Sequence, residues 1–139
     1  MDDPFDLARF VEAQERVYAQ VLNELRAGRK RSHWMWFIFP QITGLGTSPM
    51  ATRFAISGRE EAEAYLRHPL LGPRLRECTK LVIAASHRSI ESILGHPDDL
   101  KFRSSMTLFA KTTADNADFI AALDKFYDGA FDPLTLGRL

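Results

Sequence analysis

Residues 28–41 read GRKRSHWMWFIFPQ, and they are the most distinctive part of the chain. Three basic residues lead directly into six large apolar residues, 34–39, which include both tryptophans of the protein. Aromatic side chains at this density pack into a hydrophobic core, because each ring buries a large apolar area. Rings beside cations also suit a ligand site. The stretch therefore predicts a core segment, a binding segment, or both.

The composition is that of an ordinary globular protein. The chain has 139 residues, with 45% apolar and 26% charged residues, which suits one domain over 1–139. Eighteen basic residues balance eighteen acidic ones, and this argues against nucleic-acid binding as the main function. The single cysteine excludes an internal disulfide and fits the cytoplasm. No apolar run approaches the roughly 20 residues that span a bilayer, so we expect a cytoplasmic protein without a membrane partner.

Signals for helices recur along the chain. Asp3 and Pro4 are typical of a helix start, an apolar stripe follows as far as Leu25, and Gly28 suits a helix end. Ser57 and Glu60 form a capping box before a further helix. The other predicted helices are short ones within 33–39 and at 89–94 and longer ones at 60–67, 73–86, 97–111 and 114–126.

Residues 40–56 are rich in proline and glycine and indicate a long ordered loop, a length that is often functional. No convincing pair of strands accompanies these signals. The sequence therefore predicts an all-α (mainly α) fold, a compact irregular multihelical single domain of about six to seven helices.

The basic cluster offers candidate ligand contacts. Arg29 and Lys30 are predicted to hold phosphate, since cations form charge-assisted hydrogen bonds with it. Trp34 or Trp36 could stack on a base. His33 is the candidate acid–base group, because an imidazole exchanges protons near neutral pH. The alternative is a solvated helix end whose cations complement the helix dipole.

Two further segments have the chemistry of a binding site. Successive backbone N–H groups around Gly44 and Gly46 could face an oxyanion, with Gln41 and Ser48 close by in sequence. The alternative for these glycines is an ordinary turn. Farther along, four polar residues share the predicted helix 97–111, namely Lys101, Ser104, Ser105 and Thr107. Hydroxyl residues are mediocre in helix interiors, so they indicate a non-local partner, with hydrogen bonds to nearby backbone as the alternative.

Metal and cofactor motifs are absent from the sequence. The four histidines, at 33, 68, 87 and 96, do not have the spacing of a helical metal site. The chain has neither a Walker loop nor a GxGxxG fingerprint. We therefore expect no metal and no cofactor.

Long blocks of the chain resemble the bacterial family catalogued as domain of unknown function 1810. The blocks that carry the resemblance are 3–7, 28–30, 33–41, 44–46, 98–101 and 104–109. The resemblance implies a compact, mainly helical domain. It also suggests a distant similarity to YbiA-type domains, which are proposed to handle NAD and ADP-ribose derivatives. No catalytic residue can be carried over, since no known catalytic motif is matched.

These observations support three hypotheses. The first is an enzyme or a binding protein for a phosphorylated nucleotide-like small molecule, such as an ADP-ribose or NAD derivative, held in a basic-aromatic pocket. The alternative is a non-enzymatic protein-interaction domain that uses the aromatic segment 34–39 as its anchor. Nucleic-acid binding through the basic cluster comes third, because the net charge is zero. The sequence leaves the oligomeric state and the presence of catalysis open.

Overall fold

The computed structural model describes residues 2–85 and 88–139, and within these ranges the chain forms ten helices. They are α1 (Ala8–Glu15), α2 (Tyr18–Arg26), α3 (Met35–Ile38), α4 (Pro49–Arg53), α5 (Arg59–Arg67), α6 (Leu71–Ala84), α7 (Ile90–Leu94), α8 (Asp98–Thr112), α9 (Ala117–Tyr127) and α10 (Pro133–Leu136). The described residues contain no strand, only an isolated parallel bridge between Ile42 and Ile56. The all-α prediction is confirmed. Six helices have eight or more residues, and four short helices raise the number above the prediction.

The first predicted helix is two helices. The Asp3 carboxylate accepts hydrogen bonds from the N–H groups of Leu7 (2.8 Å) and Ala8 (3.0 Å), so the helix begins later than the proline indicates. A tighter turn, in which the Val17 N–H donates to the Gln14 carbonyl at 3.0 Å, separates α1 from α2. Gln14 is buried, and its side-chain amide donates to the carbonyl of Phe37 at 2.7 Å.

The predicted loop 40–56 contains a helix, α4, which the sequence analysis did not predict. Ser48 caps it, because the Ser48 Oγ accepts from the Ala51 N–H at 3.1 Å and Pro49 occupies the first helical position. The two ends of the loop are joined where the Ile56 N–H donates to the Gln41 carbonyl at 2.8 Å.

The predicted capping box at Ser57 and Glu60 is wrong. Gly58 is the N-cap of α5, and no side chain caps the helix there. Glu61 accepts from the Ser57 N–H at 2.9 Å instead and pairs with the Arg9 guanidinium at 2.8 Å. Arg9 also donates to the carbonyls of Arg53 and Ala55, both at 2.8 Å, and so fixes the end of the loop against α1.

The later helices begin and end within a few residues of the predictions. The helix predicted at 73–86 is α6, which begins two residues earlier. The predicted helix end at Ser86, and His87 among the histidines considered for a metal site, lie outside the described residues. The segment after α9, which the sequence analysis left without structure, contains α10 with Asp132 as its N-cap.

α8 is the central helix of the fold and packs against α5, α7, α9 and α10. Most of its residues are buried on all sides, which is typical of a helix enclosed by others. α3 supplies rings to the same core. Phe39, just after α3, lies edge-on to Phe102 of α8 at 4.9 Å between ring centres, and Phe37 packs against Phe54 at 5.3 Å. This packing places Trp36, on the remaining side of α3, at the edge of the core.

Candidate functional site

A cavity of about 510 Å³ lies between the loop 41–51 and the first turns of α8, and residues 132–134 close it on a third side. Its volume suits a small molecule. Polar groups and apolar side chains both line it. The principal ones are Gln41, Leu45, Gly46, Ser48, Leu100, Lys101, Ser104, Asp132 and Leu134.

Five of the residues predicted for the site come together in this cavity. Gln41, Gly46 and Ser48 line it from the loop, and Lys101 and Ser104 line it from α8. The two segments are about 55 residues apart in sequence, and the packing of α3 under α8 brings them together. A narrow crevice that shares Gln41 and Gly46 adjoins the cavity and is lined by Trp36 and Gly44.

Lys101 is one of two cations on the wall of the cavity, the other being Arg103. Its ammonium lies 5.3 Å from the ring centre of Trp36, at the distance of a cation–π contact. The same ammonium is 3.6 Å from Oδ1 of Asp98, one turn earlier on α8. Trp36 is the only partly exposed residue of 34–39. Lys101 is therefore held between a ring and a carboxylate at the pocket wall.

Lys30 does not face the cavity. Its ammonium pairs with Oδ2 of Asp98 at 2.9 Å and lies 5.2 Å from the ring centre of Trp34. Only 9% of its side chain is exposed. The carboxylate of Asp98 therefore lies between two lysines, and the three groups together carry one net positive charge. Asp98 was not among the site residues predicted from the sequence.

Trp34 is part of the core and its indole is bound by Glu24. The indole N–H donates to the Glu24 carboxylate at 3.0 Å, and only 1% of the residue is exposed. The same carboxylate accepts from the N–H groups of Arg31 (2.7 Å) and Ser32 (3.0 Å) and from the Ser32 hydroxyl (2.6 Å). Burial alone would raise the pKa of Glu24, but these hydrogen bonds together lower it to about 2. Arg31, Ser32 and Trp34 thus all donate hydrogen bonds to the buried carboxylate of Glu24.

The other members of the basic cluster are exposed. Arg29 and His33 lie at the surface and do not line the cavity. The structure therefore does not bring the candidate acid–base group His33 to the pocket. The segment 34–39 also offers little to a partner protein, since five of its six residues are buried.

The two glycines of the loop leave room for side chains of the protein itself. Gly44 has a φ of +93°, and a Cβ there would overlap the guanidinium of Arg138. At Gly46 a Cβ would lie 2.8 Å from the Cβ of Ala51. Gly46 also lines the cavity, whereas Gly44 lies on the adjoining crevice.

Two of the three predicted hydroxyls of α8, those of Ser104 and Thr107, have non-local partners, and these belong to the protein. Ser104 Oγ donates to the Asp132 carboxylate at 2.9 Å, in addition to a bond at 3.2 Å to the Leu100 carbonyl. Thr107 accepts from the Asp132 N–H at 2.9 Å. Ser105 is fully buried, and its hydroxyl has no hydrogen-bond partner among the described residues. The predicted non-local role is thus the attachment of the segment 131–136 to α8.

Asp132 is an ionised carboxylate on the cavity wall. Its Oδ2 accepts from the hydroxyl of Thr135 at 2.6 Å and from the Thr135 N–H at 3.2 Å. Burial opposes ionisation, but the hydrogen bonds from Thr135 and Ser104 prevail and lower the pKa of Asp132. The sequence analysis did not identify Asp132 or Leu134, because only tertiary contacts bring this segment to the loop.

The comparisons place the chain in a family. The model of the family described as protein of unknown function (DUF1810) matches residues 4–139, and the chain belongs to this family. It is similar to the conserved hypothetical protein Rv1873 from Mycobacterium tuberculosis, whose crystal structure at 1.38 Å gives a TM-score of 0.98. The two are 63% identical over 99% of this chain and 98% of that chain. No curated protein matches the chain. The resemblance seen in the sequence is confirmed, and the function has to be argued from the pocket.

Proposed function

We propose that the cavity between the loop 41–51 and α8 binds an anionic, phosphorylated nucleotide-like small molecule, such as an ADP-ribose or another NAD derivative. The observation that carries this proposal is the position of Lys101, whose ammonium lies over Trp36 on the wall of a cavity of about 510 Å³. Aromatic and charged groups at the edge of a concave site are typical of ligand-binding pockets.

The charges around Lys101 favour an anion. Its ammonium lies 3.6 Å from Asp98, which is longer than a hydrogen bond, and Asp98 already has a closer partner in Lys30 at 2.9 Å. The N–H donors of Lys101 therefore remain available to a phosphate oxygen. A phosphate would form charge-assisted hydrogen bonds there.

The remaining walls suit the rest of such a ligand. Leu100 and Leu134 are among the few large apolar residues at the surface, 53% and 68% exposed, and both border the cavity with Leu45. A base or sugar face that covered them would remove apolar area from water. Gln41 and Ser104 offer hydrogen-bonding groups between the apolar side chains and Lys101.

A thermal-shift screen tests the proposal. The panel holds NAD, ADP-ribose, mononucleotides, sugar phosphates and simple anions. A ligand at 100 times its dissociation constant adds about 2.7 kcal/mol to the free energy of unfolding, which raises the melting temperature by several degrees.

The variant Lys101→Met should lose this stabilisation, because it removes the ammonium and keeps the alkyl chain. The matched control is Lys80→Met, since Lys80 is an exposed lysine of α6 away from the cavity. Equal stabilisation of wild type and Lys101→Met by every hit would contradict the proposal, as would a panel without hits.

A further inference from the structure

We infer that Arg138 is a second anion-binding residue of this pocket, and that the site therefore favours ligands with two adjacent anionic groups, as in a diphosphate. The inference rests on the proposed function and concerns the rim of the same cavity. It is drawn from the placement of Arg138, from its attachment to the fold and from the groups that it does not bind.

Arg138 lies where the loop and the segment 131–139 meet. Its guanidinium packs against Gly44, at a position where any other residue would place a Cβ. Leu45 and Gly46, the next two residues of the loop, line the cavity. Leu134, four residues before Arg138, lines it from the other side. The guanidinium of Arg138 thus lies against the loop beside residues that line the cavity on two sides, and it is not itself part of that lining.

The segment that carries Arg138 is attached to the core helix. The Arg138 N–H donates to the carbonyl of Thr135 at 3.0 Å. Thr135 is fully buried and donates to Asp132, which accepts from Ser104 of α8. This chain of hydrogen bonds fixes the backbone of Arg138 relative to α8, on which Lys101 lies one turn before Ser104.

The neighbouring Arg103 already has hydrogen-bond acceptors, whereas the Arg138 guanidinium has none among the described residues. Arg103 donates to the carbonyls of Ala130 at 3.0 Å and Phe131 at 2.9 Å. In the part of the chain that the structure describes, the Arg138 guanidinium has no carboxylate within 4.0 Å and no hydrogen-bond acceptor. A guanidinium offers a planar fork of N–H donors that matches a phosphate.

Two cations with available N–H donors, Lys101 and Arg138, predict a preference for ligands with two phosphates. A ligand with a single phosphate can bind to Lys101 or to Arg138, whereas a diphosphate can accept hydrogen bonds from both. We therefore expect the site to bind ADP more tightly than AMP, because the two nucleotides differ only in the second phosphate. The preference should depend on Arg138.

The experiment is isothermal titration calorimetry of the full chain with ADP and with AMP. We expect wild type to bind ADP about tenfold more tightly than AMP, the size of one charge-assisted contact. Arg138→Gln should lose about tenfold in ADP affinity and change little with AMP. Arg138→Lys keeps the charge without the fork of N–H donors, and its affinity for ADP should lie between those of wild type and Arg138→Gln. The matched control Arg67→Gln, at an exposed arginine of α5, should behave as wild type.

The outcomes separate this inference from the proposed function. If Lys101→Met weakens both nucleotides while Arg138→Gln leaves the ratio of ADP to AMP affinity unchanged, the role of Arg138 is wrong and the pocket stands. Wild type without a preference for ADP leads to the same conclusion. If neither nucleotide binds wild type, both the inference and nucleotide binding are overturned. An unchanged melting temperature of Arg138→Gln shows that the variant is folded, which we expect because Arg138 is exposed.

Discussion

Asp98 lies between Lys30, which is nearly buried, and Lys101, which lines the cavity. Lys30 is the closer of its two partners and is nearly buried, so it has no direct access to a ligand. It nevertheless takes up much of the negative charge that would otherwise neutralise Lys101. A residue that the sequence assigns to phosphate binding is thus better described as a positioning residue for Lys101.

The variant Lys30→Met should weaken ligand binding without a direct contact being lost. With Lys30 absent, Asp98 pairs with Lys101 alone, and we expect the affinity for the ligand from the thermal-shift screen to fall about three- to tenfold. Arg29→Met is the control, since Arg29 is exposed and outside the cavity. Calorimetric titration checks this, and equal affinities of Lys30→Met and wild type would refute the positioning role.

Glu24 is the other residue on which the segment 29–34 depends. Glu24→Gln should lower the free energy of unfolding by about 2–3 kcal/mol, because it weakens hydrogen bonds to a charged acceptor. Urea denaturation followed by tryptophan fluorescence measures this. The control is Glu12→Gln, at an exposed glutamate of α1. A loss no larger than that of the control would show that the Glu24 carboxylate contributes little.

The charge of Glu24 also predicts a pH dependence. Its pKa in the folded protein is about 2, below the ordinary 4.5, so its ionised form stabilises the fold. This contribution is complete above about pH 4.5 and is lost as the pH falls toward 2. The fall in unfolding free energy over this range should be smaller in Glu24→Gln than in wild type. Parallel curves for the two proteins would contradict this account.

At the level of elements, the loop 41–51 and α10 are the parts that turn a packed helical core into a pocket. α4 is capped by Ser48, and Arg9 holds the residues that follow it. α10 is held through Asp132, which is both its N-cap and its link to Ser104 and Thr107 of α8. Both walls are therefore short segments fixed by polar contacts to long helices.

Asp132→Ala should loosen α10 and leave the rest of the fold in place. The change removes an N-cap and the acceptor for Ser104, so we expect a loss of about 1–2 kcal/mol in unfolding free energy. Hydrogen exchange should become faster over 131–139 and remain unchanged in α2. Asp115→Ala, at an exposed aspartate, is the control. Uniformly faster exchange along the chain would indicate a general destabilisation instead.

In the whole molecule, three stretches far apart in sequence, 41–51, 97–104 and 132–134, meet around one cavity. They can do so only when α8 is packed at the centre of the fold. Ligand binding should therefore oppose global unfolding, which is the basis of the thermal-shift test. No helix in the described residues is long and apolar enough to cross a membrane.

Local patterns were sufficient for most of the helices. Gly95 ends α7 with a φ of +85°, and Asp98 and Asp99 begin α8, as the sequence predicts. The errors have two sources. Ser57 does not cap α5, whose N-cap is Gly58, and its N–H binds Glu61, which is paired with Arg9. α4 and α10 were missed although each begins with a capping side chain followed by proline, because helices of four or five residues are too short to show an apolar periodicity.

The amino-acid sequence by itself determined the all-helical class and the family, and it left open whether the aromatic segment is core, a binding segment or both. These depend on periodicity, helix caps and residue blocks, which are local properties of the chain. Only the tertiary structure decided that Lys101 lines the cavity while Lys30 pairs with Asp98, and that Arg138 packs against Gly44. The physical reason is that a pattern places a residue on one face of a helix, whereas the packing of helices decides what that face meets.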